Sequence, residues 1–152
     1  MTDLTLSSAN LAEILPLLLE GQGCLSLRVT GYSMMPLLRH NRDTVWLRAP
    51  SGSISAGQIL LFRRDNGKLV LHRVWKVLPE DRFQMNGDAQ VWFETIRRDQ
   101  ILAEVSEIRR GERRIPCTGF LFRLQSSLWR LARPLRPGIF HLGQSLKQLL
   151  RR

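Results

Sequence analysis

The clearest pattern of secondary structure in the chain lies at residues 57–77, GQILLFRRDNGKLVLHRVWKV. Two apolar runs, 58–63 and 68–77, flank the triplet Asp65-Asn66-Gly67. Asn and Gly tolerate positive φ angles, so this triplet between two such runs predicts a tight turn and a β-hairpin. The second run carries a histidine, His72, among valines and leucines. We therefore expect a β core with a titratable group inside one of its strands.

Outward from this hairpin, short β-type segments recur along the chain and are separated by turn signals. The further predicted strands cover 25–29, 44–47, 82–85 and 100–108. Asn86-Gly87-Asp88 predicts a second tight turn. Several short strands at this spacing predict a mainly β fold, with a coiled, barrel-like domain over residues 25–117.

The N-terminal segment, residues 1–24, has a helical pattern. Ser7 or Ser8 can cap a helix over 9–19, because apolar residues recur there at helical spacing. The apolar stretch within it is only six residues long, 14–19, and contains a proline. A secretory signal or a membrane span needs a longer apolar run, so we expect neither, and we expect the protein in the cytoplasm.

The C-terminal segment, residues 118–152, is predicted to be a basic amphipathic helical tail. Its first helix is broken by Pro134 and Pro137, and a second short helix is predicted over 139–150. The apolar residues that recur at helical spacing in the first helix are Phe120, Leu121, Leu124, Leu128, Leu131 and Leu135.

The positive charge of the chain is concentrated in this tail. The 152 residues carry a net charge of +10, and residues 111–152 hold nine Lys or Arg against the single acid Glu112. Such asymmetry indicates an acidic partner, either anionic lipid or nucleic acid. Three arrangements are open: a helix at a membrane surface with its arginines toward the headgroups, a helix packed on the β domain or on a partner with its arginines in solvent, or a contact with nucleic acid.

The two cysteines give no sign of a metal site. Cys24 and Cys117 lack metal-type spacing and do not form a disulfide-rich framework. We expect both to be small, mostly buried thiols in a reducing compartment, and we expect no metal or other cofactor.

The segment Gly31-Tyr32-Ser33-Met34-Met35-Pro36 is suited to present a nucleophile. A serine hydroxyl reacts only when a neighbouring base removes its proton. Gly31 lets the backbone turn sharply before Ser33, and Pro36 stiffens the chain after it. The amide of Ser33 can then help to form an oxyanion site, where one good donor lowers the barrier by about 3 kcal/mol.

His72 is the candidate base. Strand alternation places His72 with Val70 and Val74 on one face of the second run, so a neutral imidazole lies on an apolar face. The ordinary pKa of histidine, near ~6.5, suits general-base catalysis close to neutral pH. A lone histidine in a strand or a lone Gly-x-Ser is common in proteins, so the case depends on their combination.

The combination resembles the signal peptidase I and LexA-like serine peptidase superfamily. The resemblance covers about residues 25–105, with its motifs in the family's order. The matching motifs are Gly31-x-Ser33-Met34-x-Pro36, Asp43-x-Val45, Gly57-x-Ile59-Leu60-Leu61-Phe62, His72-Arg73-Val74 and Gly87-Asp88. Bacterial members use a lysine base, whereas the endoplasmic-reticulum and archaeal branch uses a histidine in a His-Arg-Val context. The chain is similar to this histidine branch.

The resemblance implies a serine-type endopeptidase with Ser33 as nucleophile and His72 as base. An acid orients the histidine in such sites, and Asp88 is the expected residue, with Glu94 as the alternative. Gly31, Met34 and Met35 are expected at the oxyanion and substrate-binding positions. Lys68, four residues before His72, is a weaker candidate for the base because it lies at another point of the motif.

The expected substrates are preproteins or leader peptides, with small residues beside the cut bond. The chain departs from the family at Arg42-Asp43 and Gly57-Gln58, where Gly-Asp is common. These departures favour an alternative, a peptide-binding module of the same fold that has lost turnover. A nucleic-acid-binding regulator is a further alternative, but it would need a DNA-reading helix-turn-helix before the β domain.

Overall fold

The computed structural model describes residues 8–138 of the chain, and the side chains of Ser8 and Ala9 are not described. Two α-helices, eight β-strands and two short 3₁₀ helices follow one another along this part. They are α1 Ser8–Gln22, β1 Leu25–Arg28, β2 Asp43–Arg48, β3 Ile59–Arg63, β4 Leu69–Leu78, β5 Arg82–Asn86, β6 Glu94–Arg97, a 3₁₀ helix at Arg98–Gln100, β7 Ile101–Arg110, β8 Arg113–Pro116, α2 Phe120–Leu131 and a 3₁₀ helix at Arg133–Leu135. The predicted helix over 139–150 and the capping role of Ser7 lie outside the described residues.

All eight strands belong to one antiparallel sheet. The strand order is β1-β2-β7-β3-β4-β5-β6, and β8 pairs with the part of β7 that β3 leaves free. The prediction of a mainly β fold with an N-terminal helix and C-terminal helical structure is therefore confirmed. The described sheet is open, because its end strands β1 and β6 do not pair with each other.

The sheet is buried on both faces, which explains the continuous apolar run of β3. Leu61 points into one cluster of core side chains, which α1 covers with Leu15 and Leu19. Leu60 and Phe62 point into a second cluster on the other face. Burying each such side chain contributes about 1.5–3 kcal/mol relative to exposure.

The predicted hairpin and strand alternation are confirmed. The amide of Arg64 donates to the carbonyl of Lys68 at 2.9 Å, and Gly67 between them has a φ of +81°. Val70 and Val74 of β4 lie in the second cluster, on the face predicted for His72. All six predicted strands are present with ends shifted by one or two residues, and α1 extends past Gly21 to Gln22.

Two strands and one cysteine differ from the predictions. β6 and β8 were not predicted, because their short sequences, ETIR and RRIP, are polar and lack an apolar run. Burial raises the pKa of the Cys117 thiol to about 12, which makes it unreactive. Cys24 was expected to be buried as well, but it is exposed at the end of the loop before β1.

The loop that contains Ser33 is fixed at its C-terminal end by Asp43. This side chain is fully buried and accepts hydrogen bonds from the amide of Arg39 at 3.0 Å and from Arg42 and Arg110. Burial alone would raise the pKa of Asp43, but the hydrogen bonds from Arg42 and Arg110 outweigh it and lower the pKa to about 2. Arg110 also donates to the carbonyl of Leu37 at 2.7 Å. The loop is therefore tied to β2 and β7.

The packing of α2 on the domain agrees with one of the arrangements considered for the tail, but the orientation of its arginines does not. Its inner face carries Phe122 and Ser126, both buried. Arg130 donates to the carbonyl of Trp75 at 3.0 Å, and the guanidinium of Arg133 lies 3.9 Å from the ring centre of Phe93. These arginines, expected in solvent or at headgroups, lie against the domain instead. The leucine face of α2 points away from it.

Candidate active site

Ser33 and His72 line one cavity of about 410 Å³. The cavity is lined by the end of β1, by the loop from Thr30 to Met34, and by the segment 68–72 at the beginning of β4. Trp92 and Gln90 close one side. The topology thus brings together two residues that are far apart in sequence.

The backbone around Ser33 is held on both sides. Before it, Gly31 has a φ of +91°, and its amide donates to Nδ1 of His40 at 2.9 Å. On the other side, the carbonyl of Ser33 accepts a hydrogen bond from the amide of Ala89 at 2.8 Å. A Cβ atom on Gly87 would lie 2.7 Å from this carbonyl oxygen, so only glycine fits there. The turn at Gly31 and the predicted turn at Asn86-Gly87-Asp88 therefore meet at Ser33.

His72 is buried among aromatic rings. Only 1% of the residue is exposed, and the ring centres of Phe62 and Trp92 each lie 6.0 Å from that of the imidazole. Burial lowers the pKa of His72 below its ordinary value, while the charge of Glu94 opposes this effect only in part. The imidazole is therefore neutral at neutral pH and able to accept a proton.

Glu94 is the acid beside His72. Its Oε1 lies 2.8 Å from Nδ1 of His72, although it is off the axis of the Nδ1–H bond. Arg64 donates to both carboxylate oxygens of Glu94, at 2.7 and 2.8 Å, and its guanidinium lies 5.6 Å from the ring centre of Trp92. Arg64 thereby fixes the carboxylate next to the imidazole. Because Nδ1 faces Glu94, Nε2 is the ring nitrogen that can accept a proton from a group in the cavity.

Asp88, the acid expected to orient His72, is paired with Arg73 in the structure. Both oxygens of Asp88 accept hydrogen bonds from Arg73, at 2.8 and 2.7 Å, in a buried ion pair. Arg73 also donates to the carbonyl of Gly57 at 2.9 Å and to the hydroxyl of Ser126 at 2.7 Å. Asp88 therefore joins the Gly87-Asp88 turn to β4 and α2, and the alternative residue Glu94 takes the position beside His72.

The remaining predicted site residues fall in different places. Gly31 and Met34 line the cavity, and Met34 is at the same time buried in the core. Met35 is half-buried and is not among the residues that line this cavity. Within residues 8–138 the amide of Ser33 donates no hydrogen bond, so it is available to an oxyanion.

Within the described part of the chain, no hydrogen bond joins the Ser33 hydroxyl to the His72 ring. Catalytic hydrogen bonds commonly tighten only when substrate binds, so shared lining of one cavity is the relevant observation.

Sequence reasoning missed His40 and Arg64. Arg64 pairs with a residue thirty positions away, and no local pattern marks such a pairing.

No protein-family model, no curated protein and no solved structure matches the chain. None of the helices between residues 8 and 138 is long and apolar enough to cross a membrane.

Opposite shifts of the His72 pKa are expected on changing its two charged neighbours. Glu94→Gln removes an anion that raises the pKa of His72, so the pKa should fall further. Arg64→Met removes a cation that lowers it, so the pKa should rise. Nuclear magnetic resonance titration of the His72 imidazole measures both shifts directly. Arg97→Met, in an exposed ion pair with Asp99, is the control and should cause no shift. Shifts of the same sign in the first two variants would contradict the arrangement.

Proposed function

We propose that the chain is a serine-type endopeptidase in which Ser33 is the nucleophile and His72 the general base. The observation that carries this proposal is the shared cavity, in which a half-buried serine and a buried histidine backed by Glu94 line the same space. A nucleophile, a base and an acid that orients the base are the minimum set for this chemistry.

The catalytic steps follow from these positions. Oγ of Ser33 attacks the carbonyl carbon of the peptide bond while its proton passes to Nε2 of His72. Glu94 stabilises the resulting imidazolium, and the amide of Ser33 donates to the oxyanion. His72 then gives the proton to the leaving amine as the C–N bond breaks. Water hydrolyses the acyl ester on Ser33 by the same proton exchange, which restores the free serine.

The sheet offers a place for an extended peptide at this cavity. β1 pairs only with β2, so its other edge is free in the described structure. The beginning of β4, residues 69–72, pairs with β3 on one side, whereas β5 pairs only with residues 73–78. Both free edges line the cavity. A substrate strand can therefore hydrogen-bond to backbone on both sides, as in β-augmentation.

The finer identity of the enzyme is part of the proposal. We infer a signal-peptidase-like or LexA-like domain of the histidine branch, which cleaves preproteins or leader peptides beside small residues. Its motifs Ser33-Met34-x-Pro36 and His72-Arg73-Val74 support this, since Ser33, Met34 and His72 line the same cavity. We place the enzyme on the cytoplasmic side, and its two unpaired cysteines favour such a reducing compartment.

A peptide library with small residues at varied positions tests the activity. We expect wild type to cut a subset of peptides that Ser33→Ala and His72→Ala both leave intact, with mass spectrometry locating the cut bonds. If the three proteins give the same products, the enzyme proposal fails. Binding of the same peptides without any cleavage would favour the alternative of an inactive peptide-binding module.

A second proposal concerns attachment to an anionic membrane surface. Five residues of α2 are 46–78% exposed and fall within about 100° of the helix circumference: Phe120, Leu121, Leu124, Leu128 and Leu131. Between residues 113 and 138 there are six arginines and no acidic residue. An exposed apolar face within a positively charged region suits the interface of an anionic bilayer, with the leucines inserted and the domain resting on the helix.

Vesicle co-sedimentation of the full chain measures this attachment. We expect binding to vesicles of equimolar phosphatidylcholine and phosphatidylglycerol, and weaker binding to phosphatidylcholine alone. Leu121→Gln with Leu128→Gln should weaken binding by at least about tenfold, because two buried leucines contribute more than about 1.4 kcal/mol. Leu17→Gln with Val77→Gln, also exposed apolar residues, is the control. Absence of binding at low salt, or an equal loss in the control, would remove the proposal.

A further inference from the structure

Among residues 8–138, three cations and no acidic residue line the cavity at Ser33. The cations are Arg28, Arg64 and Lys68. Glu94 offsets the charge of Arg64 through a paired hydrogen bond. Arg28 and Lys68 are exposed, and neither forms an ion pair with any residue from 8 to 138. Two uncompensated positive charges therefore face the place proposed for the substrate.

The positions of Arg28 and Lys68 relative to the catalytic pair follow from the topology. Four successive antiparallel pairings, β1-β2, β2-β7, β7-β3 and β3-β4, leave β1 and β4 running in the same direction. Arg28 ends β1 and comes five residues before Ser33. Lys68 comes immediately before β4 and four residues before His72, which is about 13 Å of extended chain. Arg28 therefore lies at the carboxyl end of one strand and Lys68 at the amino end of a parallel strand, and both line the same cavity.

This charge distribution assigns a role to Lys68 other than that of a base. A lysine that acts as general base must lose its proton near neutral pH, which requires desolvation. Lys68 is exposed, whereas His72 is buried next to its acid. An exposed ammonium on the rim of a peptide cleft attracts acidic side chains and accelerates their encounter.

We propose that the preferred substrates are peptides with Asp or Glu near the cut bond, and that Arg28 and Lys68 select them. This inference rests on the proposed function for the position of the cut bond, but the binding preference itself does not need turnover. One or two partly exposed ion pairs are expected to change affinity by about tenfold.

Binding to the full-length Ser33→Ala variant tests the inference without cleavage. The probes are labelled Ala-rich peptides in which a single Glu or Gln is moved one position at a time, and fluorescence anisotropy gives their Kd values. We expect Glu to bind about tenfold more tightly than Gln in one region of the peptide. Added salt should reduce this ratio.

The variants Arg28→Gln and Lys68→Gln separate the cleft from general electrostatic attraction. Each should bring the Glu-to-Gln affinity ratio closer to one, and the double variant should abolish the preference. Arg113→Gln, an exposed arginine outside this cavity, should leave the ratio unchanged.

The outcomes distinguish the two proposals. Equal affinities for Glu and Gln peptides, or a ratio that falls as much in Arg113→Gln, would overturn the inference, whether or not wild type cuts peptides. A preference that depends on Arg28 and Lys68 supports it. If that preference appears while wild type cuts no peptide, the acidic-peptide site stands and the enzyme proposal fails.

Discussion

Replacing Ser33 by alanine is expected to lower kcat for peptide hydrolysis by about 10⁴-fold or more, while the Kd of the peptide stays the same. The hydroxyl forms the covalent bond to the substrate, so its loss leaves only the residual catalysis of oxyanion stabilisation and positioning. The change removes one oxygen from a half-buried position and leaves intact the backbone contacts to Ala89 and His40. Binding between the two strand edges should therefore persist.

Single-turnover kinetics with a peptide identified in the library measures kcat, and anisotropy measures binding. Ser53→Ala, an exposed serine outside the cavity, is the matched control and should keep wild-type kinetics. Retention of more than about a tenth of wild-type kcat in Ser33→Ala would exclude Ser33 as the nucleophile, since loss of a nucleophile costs far more.

Replacing Asp88 by asparagine is expected to lower the free energy of unfolding by about 3–5 kcal/mol. Asp88 and Arg73 are 0% and 3% exposed, so the substitution leaves a guanidinium buried without its counter-charge. Asparagine has almost the same shape, and therefore the loss reports charge and hydrogen bonding and not a cavity. This loss of free energy of unfolding should exceed the loss caused by breaking any exposed ion pair.

Urea unfolding of the full chain measures this loss as a shift of the midpoint at constant slope. Arg97→Gln, in an exposed ion pair with Asp99, is the control and should change stability by less than about 1 kcal/mol. Replacing both partners, Arg73→Met with Asp88→Leu, should recover part of the loss, because no unpaired charge remains. If Asp88→Asn costs no more than Arg97→Gln, the pair does not hold the domain and α2 together.

Features that local sequence determines could be predicted. The hairpin at Asp65-Asn66-Gly67 depends on residues that tolerate positive φ, and the face of His72 depends on strand alternation. Gly31 is another such position, since its φ of +91° is one that other residues rarely adopt. Ser33 and His72 could therefore be chosen as candidates before any contact was known.

Features that depend on pairing between distant residues could not be predicted. Glu94 faces His72 because β6 pairs with β5, and β6 itself has no apolar pattern that marks it as a strand. Asp88 lies at the expected position in the Gly87-Asp88 motif, but both of its carboxylate oxygens accept hydrogen bonds from Arg73. Only the fold brings Arg73 near Asp88. Charge type and motif position indicated two acids, and in the structure Glu94 contacts the His72 ring while Asp88 pairs with Arg73.

The orientation of α2 was missed for a related reason. Helical periodicity separates a leucine face from an arginine face, but it does not determine which of them contacts the domain. The rings of Trp75 and Phe93 provide surfaces on which Arg130 and Arg133 stack, so the arginine side packs inward. The leucine face is left exposed, which is unusual for a helix on a β domain.

Ser33 and His72 are proposed to act as one catalytic unit, and a double-mutant comparison can separate this from independent action. The kcat/KM of Ser33→Ala, His72→Ala and the double variant is measured on one cleaved peptide. Residues that act as a unit are strongly non-additive, so the double variant is expected to be about as slow as either single variant. Losses that multiply in the double variant would show that the two residues act independently and would contradict the account.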